Sequence, residues 1–186
     1  MSSKAEQRIS SPSVAVKIST CIHNWLDSGL EIPNTLYLTN LQNLVYDCHE
    51  RLRAIAEKSN KQITVETPEN EVLIRTDDEK LEIVIVNILS NAIRYAENEV
   101  KITFYSVENG AEIQIQDDGP GVAHDDIPHI FDRFYKGENG NSGFGLAICK
   151  DILKNLGGNI HFENLQHPQR GAKFTISIAD EIGCGF

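Results

Sequence analysis

The chain has 186 residues, 40% of them apolar, enough to bury one core with a short extension attached. Its net charge of −10 and pI near 5.0 disfavour nonspecific binding to nucleic acid or to an anionic membrane surface, so any anionic ligand has to be held by local groups. The four cysteines, Cys21, Cys48, Cys149 and Cys184, form no metal-type or redox-type pair and read as thiols in a reducing compartment.

In chain order, "MSSKAEQRISSPS" is Ser-rich and polar, lacks the apolar core of a signal peptide, and is expected to be mobile. Val14, Ile18, Ile22, Trp25 and Leu26 then recur at helical spacing up to Gly29 and Pro33, which predicts a separate helix. "TNLQNLVYDCHERLRAIAEKSN" predicts a second helix capped by Thr39 or Asn40, with Leu41, Leu44, Val45, Cys48, Leu52, Ile55 and Ala56 on one face. "KQITVETP" alternates like a strand, and a short strand follows at Glu71 to Arg75. "DDEKLEIVIVNILSNAIRYAEN" is a helix whose acidic start suits the positive end of its dipole. Its longest apolar run, Ile83 to Val86 and on to Leu89, is far too short to cross a bilayer.

Next, "EVKITFYSVENGAEIQIQDDG" predicts a hairpin with Val100, Ile102 and Phe104 against Ala111, Ile113 and Ile115, turning at Glu108-Asn109-Gly110. A short helical stretch is expected near Asp125 to Phe134, then the helix "LAICKDILKNLGG", then the strands "NIHFEN" and "AKFTISIA". Helices and strands interleave, but with hairpins. The expected fold class is therefore α+β, a two-layer α/β sandwich in which helices cover one face of a mixed β-sheet.

Three stretches carry chemistry. On the apolar helix, Asn87 and Asn91 lie one turn apart and Arg94 and Tyr95 one turn further on, all on adjoining parts of one surface. Leu81, Val84, Ile85, Ile88, Leu89 and Ala92 fill the rest and seat the helix on the sheet. Taken alone, the asparagines also fit capping or solvent-facing roles. In "DDGPGV", Asp117 closes a strand and is followed by Gly119 and Gly121, which let backbone approach a ligand; a turn has the same composition. "NSGFGLAICK" sets Gly143 and Gly145 just before a helix, whose free N–H groups suit an anion.

In this order, the stretches resemble the ATP-binding catalytic domain of sensor histidine kinases, within the superfamily shared with gyrase, the Hsp90 chaperone and mismatch-repair ATPases. The likeness spans about residues 40–180. "NILSNAIRYA" resembles the family's N box, "DDGPGV" its first glycine box, "IFDRFYKG" its F box and "SGFGLAI" its second glycine box. The resemblance implies a Bergerat-type sandwich over residues 39–182, an N-terminal extension over 1–38 related to a dimerisation or linker helix, and a tail over 183–186.

The resemblance also implies roles. Asn91 stands for the Mg²⁺ ligand, with Asn87 lining the same phosphate side. Arg94 stands where the family usually has a lysine facing the phosphates, and Tyr95 against the base or ribose. Asp117 stands for the carboxylate that accepts the adenine amino hydrogen, in a pocket shaped by Gly119 and Gly121. Phe131 and Phe134 stand for lid anchors, Lys136 for a basic lid residue that reaches the γ-phosphate, and Gly143, Gly145 and Leu146 for backbone donors to the phosphates. Asn87, Asn91 and Lys136 are the expected catalytic residues, and ATP and Mg²⁺ the expected ligands. One amide plus phosphate oxygens suits Mg²⁺, and phosphoryl transfer asks mainly for positioning and charge neutralisation.

The sequence departs from the family pattern at three places. Asn141 replaces the usual first glycine of the second glycine box, the lid between Lys136 and Gly143 is short, and Arg94 replaces lysine. No box of His, acidic residue, basic residue and Pro is present. His23 lacks an acidic neighbour, and His49, beside Glu50, lies in the helix that leads into the first strand; both read as ordinary helix histidines. His124 and His129 read as solvated lid-side residues, and His161 and His167 show no partner spacing.

The expected function is thus a histidine-kinase catalytic domain that passes the γ-phosphoryl of Mg·ATP to a His-bearing dimerisation domain, with a response regulator receiver domain downstream. No nucleic acid or membrane contact is expected, and the location is cytoplasmic or the cytosolic part of a membrane-anchored sensor. The rivals are an ATP-hydrolysing clamp, disfavoured because Asn87 fills the place of the clamp's glutamate base, a degenerate ATP-binding scaffold, and a serine-phosphorylating relative.

Overall fold

The structure, a computed structural model, describes residues 34–135, 145–166 and 169–180. Its strands are β1 (Tyr37–Asn40), β2 (Gln62–Glu66), β3 (Leu73–Thr76), β4 (Glu99–Val107), β5 (Gly110–Asp117), β6 (Asn159–Asn164) and β7 (Ala172–Ala179). Its helices are α1 (Leu41–Lys58), α2 (Asp78–Tyr95) and α3 (Gly145–Asn155). The helix expected between Val14 and Leu30 lies outside the described residues.

Local chemistry sets the helix limits. Asn40 is extended and its side chain accepts the N–H of Asn43 at 3.2 Å, which starts α1. Leu41, Val45, Cys48, Leu52 and Ala56 then form its buried stripe. At α2, Asp77 accepts the N–H of Lys80 at 3.0 Å, and Asp78 and Glu79 face the positive end of the dipole. At the other end of α2, Lys61 Nζ donates to the carbonyls of Ile93 and Arg94 at 2.6 and 3.1 Å, taking up acceptors the helix leaves unpaired.

The main sheet runs β2-β4-β5-β7-β6, with β2 parallel to β4 and the other neighbours antiparallel. Register aligns Ile102, Ile115, Phe174 and Phe162 across four strands, all on the buried side. Helix α1 packs on β2, α2 on β4 and β5, and α3 on β6. The opposite face carries Lys101, Gln114, Tyr105 and Glu112, and there the Tyr105 hydroxyl donates to Glu112 at 2.7 Å and accepts from Gln114 at 2.8 Å. The fold class is therefore the expected one, a mixed sheet with helices on one face. The side chains expected to seat α2, Leu81, Val84, Ile85, Ile88, Leu89 and Ala92, are all buried.

Two elements differ from expectation. Strand β1 was not anticipated; it pairs antiparallel with β3 as a separate two-stranded sheet. Thr39, Ile74 and Thr76 face in while Leu38 and Leu73 stay exposed, an alternation too short to register beside the capping signal at Thr39 and Asn40. Between Asp125 and Phe134 only a 3₁₀ turn forms, at Ile127–His129. Pro128 suits the first turn of a helix, and the left-handed φ of 68° at Phe134 closes off a helix at the far end of this stretch.

Cys48 and Cys149 are buried free thiols, and burial pushes both up to about 12. Alkylation at pH 8, read by mass spectrometry, is expected to leave both unlabelled in the native chain and to label both in denaturant. Native labelling of either would mean that its helix opens locally.

Candidate functional site

Along β5 the inward positions are Ala111, Ile113, Ile115 and then Asp117, so a carboxylate occupies the last core-facing place and is only 3% exposed. Its Oδ1 accepts the N–H of Gly119 at 2.9 Å and, at the long distance of 3.4 Å, that of Ala172. Among the described residues, Oδ2 accepts no hydrogen bond. Burial holds this carboxyl above the usual range, against the opposing pull of the Gly119 and Ala172 N–H groups. Oδ2 is not among the fully buried unpaired atoms, so a donor from solvent or ligand can reach it.

Gly119 lies under the end of α2. A Cβ there would sit 2.2 Å from the carbonyl oxygen of Tyr95 and 2.9 Å from Asp117 Oδ1, so any side chain would force helix and strand apart. Beside it, Gly121 packs against Asn164. The Asn164 amide accepts from the N–H of Val122 at 2.8 Å and donates to its carbonyl at 2.7 Å, which ties the turn after Asp117 to the end of β6.

On α2, Asn87, Asn91 and Tyr95 repeat at one-turn intervals and span about 12 Å along the axis. At the Tyr95 end the helix meets Gly119. At the Asn87 end it meets α3, since Asn87 Oδ1 lies 3.4 Å from where a Cβ of Gly145 would stand. The Asn87 amide nitrogen donates back to Ile83 O at 2.8 Å. Half-buried between them, Asn91 has no side-chain hydrogen-bond partner among the described residues. Arg94 is exposed, with its guanidinium 5.5 Å from the Tyr95 ring centroid, and Tyr95 is 40% exposed. Gly145 and Leu146 are the first residues of α3. Helix α2 therefore runs from the turn at Gly119, met by the Tyr95 carbonyl, to the start of α3 at Gly145, met by the Asn87 amide, with Asn91 between them in sequence.

The remaining candidates lie to one side. Phe131 stacks edge-on against Phe174, with centroids 6.5 Å apart, and Lys150 Nζ is 5.7 Å from its ring. Phe134 is 67% exposed. Arg133 pairs with Asp151 of α3 at 2.9 Å. Lys136 and Gly143 lie outside the described residues. An open groove of about 600 Å³ is lined by His49, Arg53, Lys61 and Asn98 among others, and by neither Asn91 nor Asp117. Asp118, Asn164 and Gly171 carry no local signal in the sequence, because their contacts run to residues far along the chain.

Residues 76–182 match the family described as histidine kinase-, DNA gyrase B-, and HSP90-like ATPase, over more than half the chain. The chain belongs to this family. Among the histidine kinase-like ATPases it is similar to sensor protein EvgS of Escherichia coli, 34% identical over 168 residues, covering 85% of this chain and 13% of EvgS. It is also similar to signal transduction histidine-protein kinase AfsQ2 of Streptomyces coelicolor, 32% identical over 118 residues, covering 61% of this chain and 22% of AfsQ2. The chain thus spans under a quarter of either relative.

Among solved structures, the catalytic domain of histidine kinase ThkA, in a nucleotide-free form, superposes with a TM-score of 0.71 at 25% identity, over 80% of this chain and 97% of that one. Full-length ShkA in complex with AMPPNP superposes with a TM-score of 0.74 at 23% identity, over 88% of this chain and 34% of ShkA. The fold is that of histidine kinase catalytic domains. Among the described residues no helix is long and apolar enough to cross a membrane. No group of three His, Cys, Asp or Glu side chains among the described residues could hold a metal ion.

Proposed function

We propose that the chain is the nucleotide-binding catalytic domain of a two-component sensor histidine kinase, which binds Mg·ATP and passes the γ-phosphoryl to a histidine on another domain or subunit. The observation that carries this reading is the buried Asp117 with its unused Oδ2, set at one end of a helix whose polar residues lead to the start of α3. Asp117 Oδ2 accepts the exocyclic amino hydrogen of adenine; guanine offers a carbonyl at that place and is refused. Tyr95 packs against the base or ribose. Asn91 would offer an amide oxygen to Mg²⁺, which when bound would supply charge neutralisation at the phosphates. Arg94, together with Lys136 beyond the described residues, adds the positive charge that the net −10 does not. Asn87 is no base, because an amide cannot take a proton from water, and its nitrogen is committed to Ile83 O. Transfer to a histidine is therefore favoured over hydrolysis.

In the transfer, the bond between the γ-phosphorus and the β,γ-bridging oxygen breaks as a bond forms to the acceptor imidazole nitrogen, and ADP leaves. The acceptor belongs to a His-bearing dimerisation domain, and a response regulator receiver domain takes the phosphoryl next. The proposed catalytic domain covers residues 39–182, with 1–38 an N-terminal extension related to a dimerisation or linker helix; the end of that extension is held on the domain, since Asn34 Nδ2 donates to Asn155 O at 2.6 Å and Asp77 accepts the Thr35 N–H at 3.1 Å.

Titration calorimetry with Mg·ATP and Mg·GTP tests the binding step: ATP alone is expected to bind, and equal affinity for both would refute the role of Asp117. Incubation with labelled ATP and a supplied His-bearing helical domain tests the transfer, with acid-labile protein phosphate as the expected product. Asn91→Ala is expected to cut transfer by about 100-fold while ATP affinity changes by less than about 10-fold, since the base contacts remain. Transfer at the wild-type rate would remove Asn91 from the metal site.

A further inference from the structure

The residue after Asp117 makes a set of contacts that the nucleotide reading leaves unexplained. The Asp118 carboxylate gathers the loop between α2 and β4: Oδ1 accepts the N–H of Glu97, Asn98 and Glu99 at 2.8, 3.0 and 3.1 Å, and Oδ2 accepts the N–H and side-chain amide of Asn98 at 3.0 and 3.1 Å. Its own backbone N–H donates to Glu99 O at 3.2 Å. That loop is the continuation of α2, whose last residue, Tyr95, places its carbonyl against Gly119. A single carboxylate therefore joins the end of the helix to the turn that carries Asp117. Although its partial burial works the other way, the N–H groups of Asn98 and Glu99, the Asn98 amide and the Glu97 N–H hold the Asp118 carboxyl below the usual range.

We propose that Asp118 is a positioning residue for base recognition: by fastening residues 97–99 it sets the gap between the end of α2 and Gly119, and with it where Asp117 Oδ2 stands relative to the base. The inference rests on the nucleotide reading above. Asp118 touches no ligand in this scheme and acts only through Asp117 and Tyr95. Glu97, Asn98 and Glu99 are exposed, so on removal of the carboxylate water takes over their N–H groups and the domain stays folded. What changes is the fit at the adenine edge, while Asn91, one turn back along the helix, and Asn87 and Gly145, two turns back, keep their places.

The test pairs two variants with two ligands. ADP and purine riboside diphosphate, which lacks the exocyclic amino group, are titrated in the presence of Mg²⁺ into the wild-type chain, Asp118→Ala and Asp118→Asn. Thermal melts monitor folding. The wild type is expected to prefer ADP by about 10-fold or more, the worth of a hydrogen bond to a charged group. In Asp118→Ala that preference should fall to within about 3-fold, with affinity for the amino-less ligand changed by less than about 2-fold. Asp118→Asn keeps one acceptor oxygen and should lie between; it carries the same test if the alanine variant melts far below the wild type.

A purely structural role would weaken both ligands together and leave their ratio intact. An unchanged ratio in both variants therefore overturns the inference alone. A wild type with no preference for ADP overturns the nucleotide reading, and the inference with it.

Discussion

Asp117→Asn is expected to leave the domain folded and about 1 kcal/mol more stable than the wild type, while lowering ATP affinity by roughly 100-fold or more. Asparagine keeps an oxygen at Oδ1, so the N–H groups of Gly119 and Ala172 are still accepted. It removes a charge that is 3% exposed, and with it the desolvation cost. At Oδ2 it puts an N–H where the adenine amino group needs an acceptor, so donor meets donor. The pH dependence has a definite sign. Burial raises the Asp117 carboxyl in the folded state, so between the ordinary carboxylate range and its raised value the native state holds more protons than the unfolded state. Wild-type stability should therefore fall as pH rises through that window and level off above it, and the slope should be absent in Asp117→Asn. Nucleotide affinity follows the opposite course, because a protonated carboxyl presents a hydrogen rather than a lone pair. Chemical denaturation across pH, with calorimetric titration of ATP, checks both. A variant that binds ATP like the wild type ends the proposed role of this residue.

Gly171→Ala is expected to destabilise the fold by about 3 kcal/mol, seen as a melting temperature lower by roughly 6–12 °C. The φ of +124° at Gly171 disfavours any side chain, and a Cβ would lie 1.7 Å from the backbone oxygen of Asp117 and 2.6 Å from its carbonyl carbon. Neither partner can turn aside as a flexible side chain would. Because the atoms struck belong to Asp117 itself, ATP affinity should fall together with stability. A melting temperature within about 2 °C of the wild type would show that the β6–β7 connection yields freely there.

Much of this arrangement was legible in the sequence because its signals are local. The alternation over residues 99–117 and 172–179 set the hairpin and the last strand, and the apolar periodicity around Asn87 and Asn91 set the buried helix that carries them. Asp117 was legible as a strand-end carboxylate, and the register explains why it is buried: it continues the inward series of β5. What stayed hidden depends on long-range pairing. Strand β1 forms only because β3 lies beside it. Asn164 looks like the plain end of a strand until Val122 is brought against it. Asp118 sits inside a motif that drew attention to its neighbours, yet its partners lie about 20 residues earlier in the chain. Gly171 reads as an ordinary turn glycine, and only the close pass beneath Asp117 gives it weight.

Helix α2 touches Gly119 through the Tyr95 carbonyl and comes up against Gly145 through the Asn87 amide, so one stiff rod spans both ends of the proposed cleft. An axial slip of a single helical turn, about 5.4 Å, would break both contacts in the same movement. On the proposed reading, such an axial pull would loosen the hold on the ring system and on the charged tail in one movement, as a latch rather than as a dial.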